Sequence, residues 1–422
     1  MLFLFLALSL NSYLTMNDLF HNSMKSKRLC PICNNSANHL IYRQSFSRLS
    51  DGRSLLSGYD VVVCSNCGFC FADLIPEQAF FDAYYREMSK YEKTDRGGLD
   101  TPYEQARFQK VASIVSQFLP SQTTRIYEIG CANGQLLAEL KNMGYKNVSG
   151  MDPSPVCAEF ARRKYGIQVT NNTISDITIG DDKVDFLILA GVLEHVRDVR
   201  FALQKLKKML SVGGNIYISV PDASRYPEGK DAPFQEFSVE HINFFGPDSL
   251  VNLMKVTGFK QVSLIQDMVS SSMGTTTPVI NGLFQKSDQP FETTISVDSI
   301  TEEGLNLYVT QSTCEDKHIQ ERIEVLVSSA QPIMVWGTGA HTLRLLATSR
   351  LGGVKIRAFV DSNPRYQGKK LNGVPIVAPQ AIKDWSEPIL ISSRVYQEEI
   401  ALQITEDLKL KNPIIRLYDL SS

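Results

Sequence analysis

The central part of the chain, from Thr101 to about Lys286, alternates two kinds of hydrophobic pattern. Short runs rich in β-branched residues predict buried strands, and longer runs with apolar residues every three or four positions predict helices. The strand-like runs are RIYEI, NVSGMD, VDFLILAGVL and GGNIYISV, and the helical runs are QLLAELKNM, CAEFARRKY and FALQKLKKML. This alternation predicts an α/β domain over residues 100–286, built on a doubly wound parallel sheet. Ligands of such sheets bind at the carboxyl ends of the strands.

A second βαβ pattern occupies residues 330–422. The segment QPIMVWGTGAHTLRLLATS is typical of a buried strand, a turn with Gly337 and Gly339, and a helix, and IRAFVDSNP places Asp361 at the end of the next strand. This half of a nucleotide fingerprint is compatible with a ligand contact and equally with a plain strand-to-helix turn. Residues 287–329 are first polar and then apolar at helical spacing, which predicts a linker and one or two helices.

Composition and charge narrow the classes of function. A chain of 422 residues with 43% apolar and 21% charged side chains is typical of a globular protein of two or three domains. Its net charge of −2 gives no basic field, so we expect no nucleic-acid partner. The apolar residues 1–24 contain no Lys or Arg and are too short to span a bilayer. We interpret them as a dispensable extension and expect no membrane partner; a secretory signal is the alternative.

Four of the cysteines form two Cys-x-x-Cys pairs near the N-terminus: Cys30 with Cys33, and Cys64 with Cys67. Two such knuckles predict a tetrahedral zinc site, and four thiolates leave no open position for catalysis. We therefore expect a small structural zinc ribbon over residues 25–85, with disulfides or a redox pair as the alternative. Thiolates that stay reduced also favour a cytoplasmic location.

The stretch EIGCANG follows the first predicted strand of the central domain and contains Gly130 and Gly134. It is neither a G-x-G-x-x-G dinucleotide fingerprint nor a Walker loop, so a pyrophosphate is a poor candidate ligand. Asp152 ends the next strand, where a carboxylate can accept both hydroxyls of an unphosphorylated ribose. The pattern therefore predicts a ligand that has a ribose but no phosphates.

These residues resemble the class I S-adenosylmethionine-dependent methyltransferases. EIGCANG, GMDPS, FLILAGVLEHV and LSVGGNIYISVP occur in the family's order and spacing. The resemblance implies that the glycine loop lines the methionine moiety, that Asp152 holds the ribose and that the NNTIS segment flanks adenine. Glu128 would contact the cofactor or, equally, stabilise the loop. The implied cofactor residues are Glu128, Gly130, Cys131, Ala132, Gly134, Asp152, Pro153, Thr173, Ile174 and Ala190.

Methyl transfer to oxygen or to a carbon acid also needs a base. The segment FSVEHINFFGPDSL supplies a candidate in His241, which lies among aromatic residues and next to Glu240. Glu240 could orient the imidazole or stabilise its charge. The alternatives are that His241 is only a hydrogen-bonded loop residue, or that His195 is the base.

The order of a four-cysteine module, a class I methyltransferase core and a C-terminal Rossmann-like domain resembles the sugar C-methyltransferases that act on nucleotide-linked ketosugars. In that family a Glu-His pair matching Glu240 and His241 performs acid/base work beside a Tyr, whose position is Ser238 here. The resemblance implies a methyltransferase with S-adenosylmethionine as cofactor, zinc as structural metal and a small-molecule substrate, a nucleotide sugar. C-methylation is favoured over O-methylation, and a non-catalytic binding or assembly module is the alternative of a different class.

Overall fold

A computed structural model describes residues 26–48, 56–87, 102–272, 274–287 and 294–419. The proposed dispensable extension, residues 1–24, lies outside the described residues. Within them, no helix has the length and the apolar character needed to cross a membrane.

The strands belong to three sheets. In chain order they are β1 (Asn38–Ser45), β2 (Gly58–Cys64), β3 (Cys70–Asp73), β4 (Ile126–Ile129), β5 (Val148–Met151), β6 (Gln168–Thr170), β7 (Val184–Ala190), β8 (Leu210–Pro221), β9 (Asn243–Phe244), β10 (Phe259–Ser272), β11 (Thr275–Lys286), β12 (Ile333–Trp336), β13 (Ile356–Val360), β14 (Lys370–Leu371), β15 (Val374–Val377), β16 (Ile389–Ile391) and β17 (Ile414–Arg416).

The α-helices connect these strands or cover the sheets. They are α1 (Gln78–Glu87), α2 (Pro102–Ser116), α3 (Gln135–Asn142), α4 (Pro155–Tyr165), α5 (Val199–Met209), α6 (Pro247–Val256), α7 (Ile300–Ser329), α8 (Ala340–Thr348) and α9 (Gln397–Leu402).

The central sheet has the order β10-β11-β8-β7-β4-β5-β6. β8, β7, β4, β5 and β6 pair in parallel, and β11 runs antiparallel between β8 and β10. The parallel pairings agree with the predicted alternation, since strands covered on both faces have continuous apolar sequences such as β7. The carboxyl ends of β4, β5 and β7 therefore open at one edge, where the sequence places its glycine loop and Asp152.

The N-terminal sheet has the order β1-β2-β3-β9 and is antiparallel throughout. Its fourth strand comes from the central part of the chain, since Asn243 and Phe244 of β9 pair with Phe71 and Cys70 of β3. This pairing fixes the segment that carries Glu240 and His241 against the cysteine-bearing sheet. The pairing of β9 with β3 could not be predicted from the sequence, because a strand of two residues has no periodicity.

The third sheet has the order β14-β15-β13-β12-β16-β17. All of its pairings are parallel except that of β14 with β15. The one or two helices predicted within residues 287–329 form a single helix, α7. This helix packs on the turn at Ala223–Glu228. One apolar core joins the N-terminal sheet, α7 and the third sheet through residues such as Val61, Leu305 and Val335.

Candidate functional site

The glycine loop after β4 is held in an unusual backbone conformation. Gly130 has φ 68°, Ala132 has φ 45° and Gly134 has φ 76°, all in the left-handed region that favours glycine. A Cβ on Gly130 would lie 2.9 Å from Cγ2 of Val192, so a side chain there would collide with the loop after β7. A Cβ on Gly134 would lie 2.9 Å from Cβ of Ala161, so this glycine lets α3 approach α4.

Asp152, at the end of β5, joins two loops through its carboxylate. Oδ2 accepts a hydrogen bond from the amide of Ala132 at 2.8 Å, and Oδ1 accepts one from the amide of Ser154 at 2.9 Å. The side chain is buried, yet it lines a cavity at the carboxyl edge of the sheet. Hydrogen bonds to an ionised carboxylate are stronger than neutral ones, so this residue fixes the entrance of that cavity.

Glu128 lies below the glycine loop and is only 4% exposed. Its Oε2 has no hydrogen-bond partner among the described residues. Burial, and secondarily the charge of Asp152, raise the pKa of Glu128 to about 8. A buried carboxyl group without a partner is expensive unless a ligand provides one.

The first cavity, at the carboxyl ends of β4, β5 and β7, brings together half of the predicted cofactor residues. Those that line it are Gly130, Asp152, Pro153, Thr173 and Ile174. The others lie behind or beside its wall: Cys131 is in the hydrophobic core, Ala190 packs against that core, and Glu128, Ala132 and Gly134 support the loop.

Part of the first cavity is formed by residues that the sequence does not reveal. Gln78 and Tyr85 of α1 line it, as does Phe201. The Gln78 side chain accepts hydrogen bonds from the amides of Arg197 and Asp198, which fastens α1 to the central domain. The only sequence signal for α1 is its aromatic spacing, and that says nothing about its partner.

A second cavity lies between the central domain and the carboxyl edge of the third sheet. The central domain contributes residues 231–241 in part, and the third sheet contributes the turn at residues 336–341 with Asp361 and Arg394. Glu240 lines both cavities. The two cavities therefore adjoin at the loop that contains the Glu-His pair.

His241 faces the second cavity and has two notable neighbours. Its Nδ1 lies 3.7 Å from Oε2 of Glu236, and its ring centroid lies 5.0 Å from that of His195. Nδ1 of His195 is 3.0 Å from the carbonyl oxygen of Glu240 and 3.2 Å from the hydroxyl of Tyr85. The two histidines thus connect the first cavity to the second.

Glu240 contacts a phenol that comes from outside the loop. The hydroxyl of Tyr84, on α1, donates to Oε1 of Glu240 at 3.4 Å. Ser238, which stands where the resembling family has Tyr, accepts hydrogen bonds at Oγ from the amides of Glu240 and His241 at 3.3 and 3.2 Å. Ser238 therefore shapes the loop, while α1 supplies aromatic hydroxyls beside the Glu-His pair.

The second cavity also contains buried acids. Burial, followed by the charges of Asp231 and Glu194, raises the pKa of Glu236 to about 8. Burial likewise raises the pKa of Asp231 to about 6, against the opposing effect of Arg394. Such shifted groups in a cleft are typical of sites that move protons.

Comparisons with known proteins agree with this geometry. The family described as "Methyltransferase domain" matches residues 103–264, which include β4 to β8 and the lining residues of the first cavity other than those of α1. The chain contains a class I methyltransferase domain. A second family, described as "C2185-like, N-terminal", matches residues 329–415, which include the third sheet.

Individual relatives of the methyltransferase domain are distant. A "Probable S-adenosylmethionine-dependent methyltransferase" of Mycobacterium tuberculosis is 23% identical over 167 residues, which are 39% of this chain and 60% of that protein. A "Ubiquinone biosynthesis O-methyltransferase" of Azorhizobium caulinodans is 30% identical over 105 residues, 24% of this chain and 41% of that protein. This chain thus spans less than two thirds of the length of these curated relatives. The structure of a Burkholderia thailandensis 1,6-didemethyltoxoflavin-N1-methyltransferase is similar with a TM-score of 0.39 and 16% identity, covering 54% of this chain and 98% of that one.

The four cysteines of the two N-terminal Cys-x-x-Cys pairs could hold a metal. The sulfur atoms of Cys30 and Cys67 lie 3.5 Å apart, those of Cys33 and Cys64 lie 3.4 Å apart, and all four cysteines are free thiols. Four sulfurs gathered without a disulfide fit the tetrahedral site that zinc prefers.

Proposed function

We propose that this chain transfers a methyl group from S-adenosylmethionine, bound in the first cavity, to an acceptor bound in the second. The single observation that supports this best is Glu240, which lines both cavities and precedes the proposed base, His241. A methyl donor and its acceptor must meet in line, so a site for transfer needs two adjoining cavities with a proton acceptor at their junction.

The residues of the first cavity suit this cofactor. Gly130 leaves room that a Cβ would fill, and Asp152 is a buried carboxylate at the position of a ribose contact. Glu128, behind the glycine loop, offers a buried oxygen without a partner among the described residues, and an amino group of the cofactor would satisfy it. The cofactor supplies an activated methyl group on a sulfonium, and the protein's residues orient it and keep water away.

For the acceptor we propose a nucleotide-linked ketosugar. The inference rests on the resemblance to the three-domain sugar C-methyltransferases, and the second cavity supports it. Its far wall is the glycine turn of the third sheet, which we take to be a second Rossmann-like domain, and it contains Arg394, whose Nε has no hydrogen-bond partner among the described residues. An arginine at such a place can bind a phosphate.

In C-methylation, His241 removes the acidic proton from the carbon next to the keto group. The resulting enolate carbon then forms a bond to the methyl group as the bond from sulfur to methyl breaks, and the proton remains on the imidazole. In O-methylation, the imidazole of His241 would instead take a proton from a hydroxyl group of the acceptor. The ubiquinone O-methyltransferase among the relatives keeps this alternative open.

The four cysteines complete the proposal. We infer that they bind one zinc ion, which stabilises the N-terminal sheet and takes no part in the chemistry. Thiolates that remain reduced are typical of a reducing compartment, so we infer that the enzyme works in the cytoplasm.

The test is mass spectrometry after incubation with methyl-labelled S-adenosylmethionine and a panel of nucleotide-linked 4-ketosugars and ordinary nucleotide sugars. We expect label in the ketosugars alone. Incubation of the unmethylated ketosugar in deuterated water with the demethylated cofactor then distinguishes the reactions, because only a C-methyltransferase exchanges the proton next to the keto group. Cofactor binding without label in any sugar would exclude this substrate class.

A His241→Ala variant tests the base. It should lose turnover while its affinity for S-adenosylmethionine, measured by calorimetry, stays within a few-fold of wild type. Normal turnover would remove His241 from the mechanism. If the wild-type protein bound no S-adenosylmethionine at all, the chain would instead be a binding or assembly module.

A further inference from the structure

The carboxylate that faces the proposed base comes from Glu236, five positions earlier in the chain. Its Oε2 lies 3.7 Å from Nδ1 of His241, and the two side chains are 10% and 20% exposed. The backbone amide of Glu236 donates to the hydroxyl of Tyr308 on α7 at 3.0 Å. The position of Glu236 is therefore set by a neighbouring helix as well as by its own loop.

An imidazole acts as a base through one nitrogen only when its other nitrogen holds the hydrogen. A carboxylate facing Nδ1 favours that tautomer, keeps Nε2 unprotonated, and stabilises the imidazolium that forms after proton transfer. A separation of 3.7 Å is long for a hydrogen bond, and such contacts commonly shorten when substrate binds.

We propose that Glu236 is the positioning residue of His241, an inference that rests on the proposed function. Glu236 selects the imidazole tautomer in which Nε2 accepts the proton from the acceptor, and it stabilises the resulting positive charge. Glu240, the sequence neighbour, instead lies where the two cavities adjoin and accepts from Tyr84.

The groups around Glu236 determine the pH range in which its carboxyl group is ionised and can accept from His241. Asp231 on the same loop and Glu194 on the turn after β7 oppose its ionisation, as burial does, and the pKa of Glu236 is raised to about 8. The hydroxyls of Tyr308 and Tyr226 also face it, and burial keeps the pKa of both phenols well above its usual range. While the carboxyl group is protonated it would donate to Nδ1 of His241. The imidazole hydrogen is then on Nε2, so Nε2 cannot accept a proton from the acceptor.

The ionisation of Glu236 sets the direction in which the rate of methyl transfer changes with pH. Activity requires the ionised carboxylate, so the rate of methyl transfer should rise with pH and reach half of its maximum near pH 8. In Glu236→Gln the amide oxygen accepts from Nδ1 at every pH, so this rise should vanish. The charge on the imidazolium is no longer balanced, so the rate on the alkaline plateau should fall ~10- to 100-fold.

The experiment measures single-turnover rates from pH 6 to 10 for wild type, Glu236→Gln and the matched control Glu240→Gln, with affinity for S-adenosylmethionine measured alongside. We expect the control to keep the rise near pH 8, whatever its maximal rate. A rise that persists in Glu236→Gln, or that disappears only in Glu240→Gln, would overturn the assignment. A purely structural role would lower the rate equally at all pH values, which would also overturn it.

A second readout needs no acceptor and separates this inference from the proposed function. In protein labelled at the histidine nitrogens, NMR should show the hydrogen of the wild-type His241 imidazole moving from Nε2 to Nδ1 as the pH rises through about 8, because ionised Glu236 then accepts from Nδ1. Glu236→Gln should show no such change, and a wild-type tautomer that stays the same above and below this pH would refute the contact. If His241 shifts as expected but no sugar is methylated, the proposed substrate fails and the Glu236–His241 pair stands.

Discussion

Replacing Asp152 by Asn tests whether the first cavity binds the cofactor as proposed. In the structure both carboxylate oxygens accept backbone hydrogen bonds, from Ala132 at 2.8 Å and from Ser154 at 2.9 Å. Asn keeps one acceptor oxygen and turns an NH₂ group toward the other amide. One charge-assisted hydrogen bond is therefore lost, and two donors face each other.

The size of the effect follows from that geometry. A hydrogen bond to a charged group contributes about 1.5–3 kcal/mol, which corresponds to roughly 10- to 150-fold in an equilibrium constant. The proposed hydrogen bond from a ribose hydroxyl to Asp152 is also charge-assisted, so we expect its weakening in Asp152→Asn to raise the dissociation constant of S-adenosylmethionine by a factor in this range. Part of the loss should appear as lower thermal stability, because Asp152 joins two loops even without ligand.

Isothermal titration calorimetry measures the affinity, and Asp185→Asn is the matched control. Asp185 also accepts a backbone amide, from Arg125 at 3.1 Å, but it lies at the amino end of β7, away from the cavity. The control should lose some stability and keep cofactor affinity. If Asp152→Asn bound S-adenosylmethionine within two-fold of wild type, Asp152 would be a structural residue and the proposed ribose contact would be wrong.

Three further predictions concern the zinc ligands, a helix contact and a buried acid. Cys64→Ser should lower bound zinc, measured by plasma mass spectrometry, from one ion per chain to none, and an unchanged zinc content would contradict the proposed ligand set. Gly304→Ala should lower the unfolding temperature, since its Cβ would lie 2.3 Å from the carbonyl oxygen of Ser224, whereas Gly353→Ala meets nothing within 4 Å. Because the pKa of Glu128 is raised from 4.5 to about 8, its folded form holds a proton that the unfolded form releases, so stability falls as pH rises through this window. Chemical denaturation of Glu128→Gln should show a shallower fall, and an equal slope would contradict the raised pKa.

The sequence revealed the parts of the site that depend on local pattern. β7 is covered on both faces, so its sequence from Phe186 onward is a continuous apolar run that is easily recognised as a strand. The glycine loop was predictable because its left-handed residues restrict the amino acids that fit there. These features place the first cavity and Asp152 from the sequence alone.

Contacts between remote segments were not predictable. Tyr85 and Gln78 of α1 line the first cavity, yet nothing in the composition of α1 indicates which sheet edge it covers. The expectation that Glu240 orients His241 relied on adjacency along the chain. That expectation stays a prediction, but the structure also places Oε2 of Glu236 3.7 Å from Nδ1 of His241, a contact that adjacency along the chain does not indicate.

The loop with His241 also forms hydrogen bonds with the N-terminal sheet. The cysteines of that sheet can therefore affect methyl transfer although they lie far from His241. Nε2 of Gln44, on β1, donates to the carbonyl of Phe237 at 2.8 Å, and the hydroxyl of Tyr59, on β2, donates to the carbonyl of Ser238 at 2.8 Å. β9 then pairs with β3 directly after His241. If zinc stabilises this sheet, its loss should lower the rate of transfer by displacing the base while leaving the first cavity, and hence cofactor affinity, largely intact. A structural metal site would then affect catalysis through position alone, since an error of about 1 Å in a reacting group can cost about 100-fold in rate.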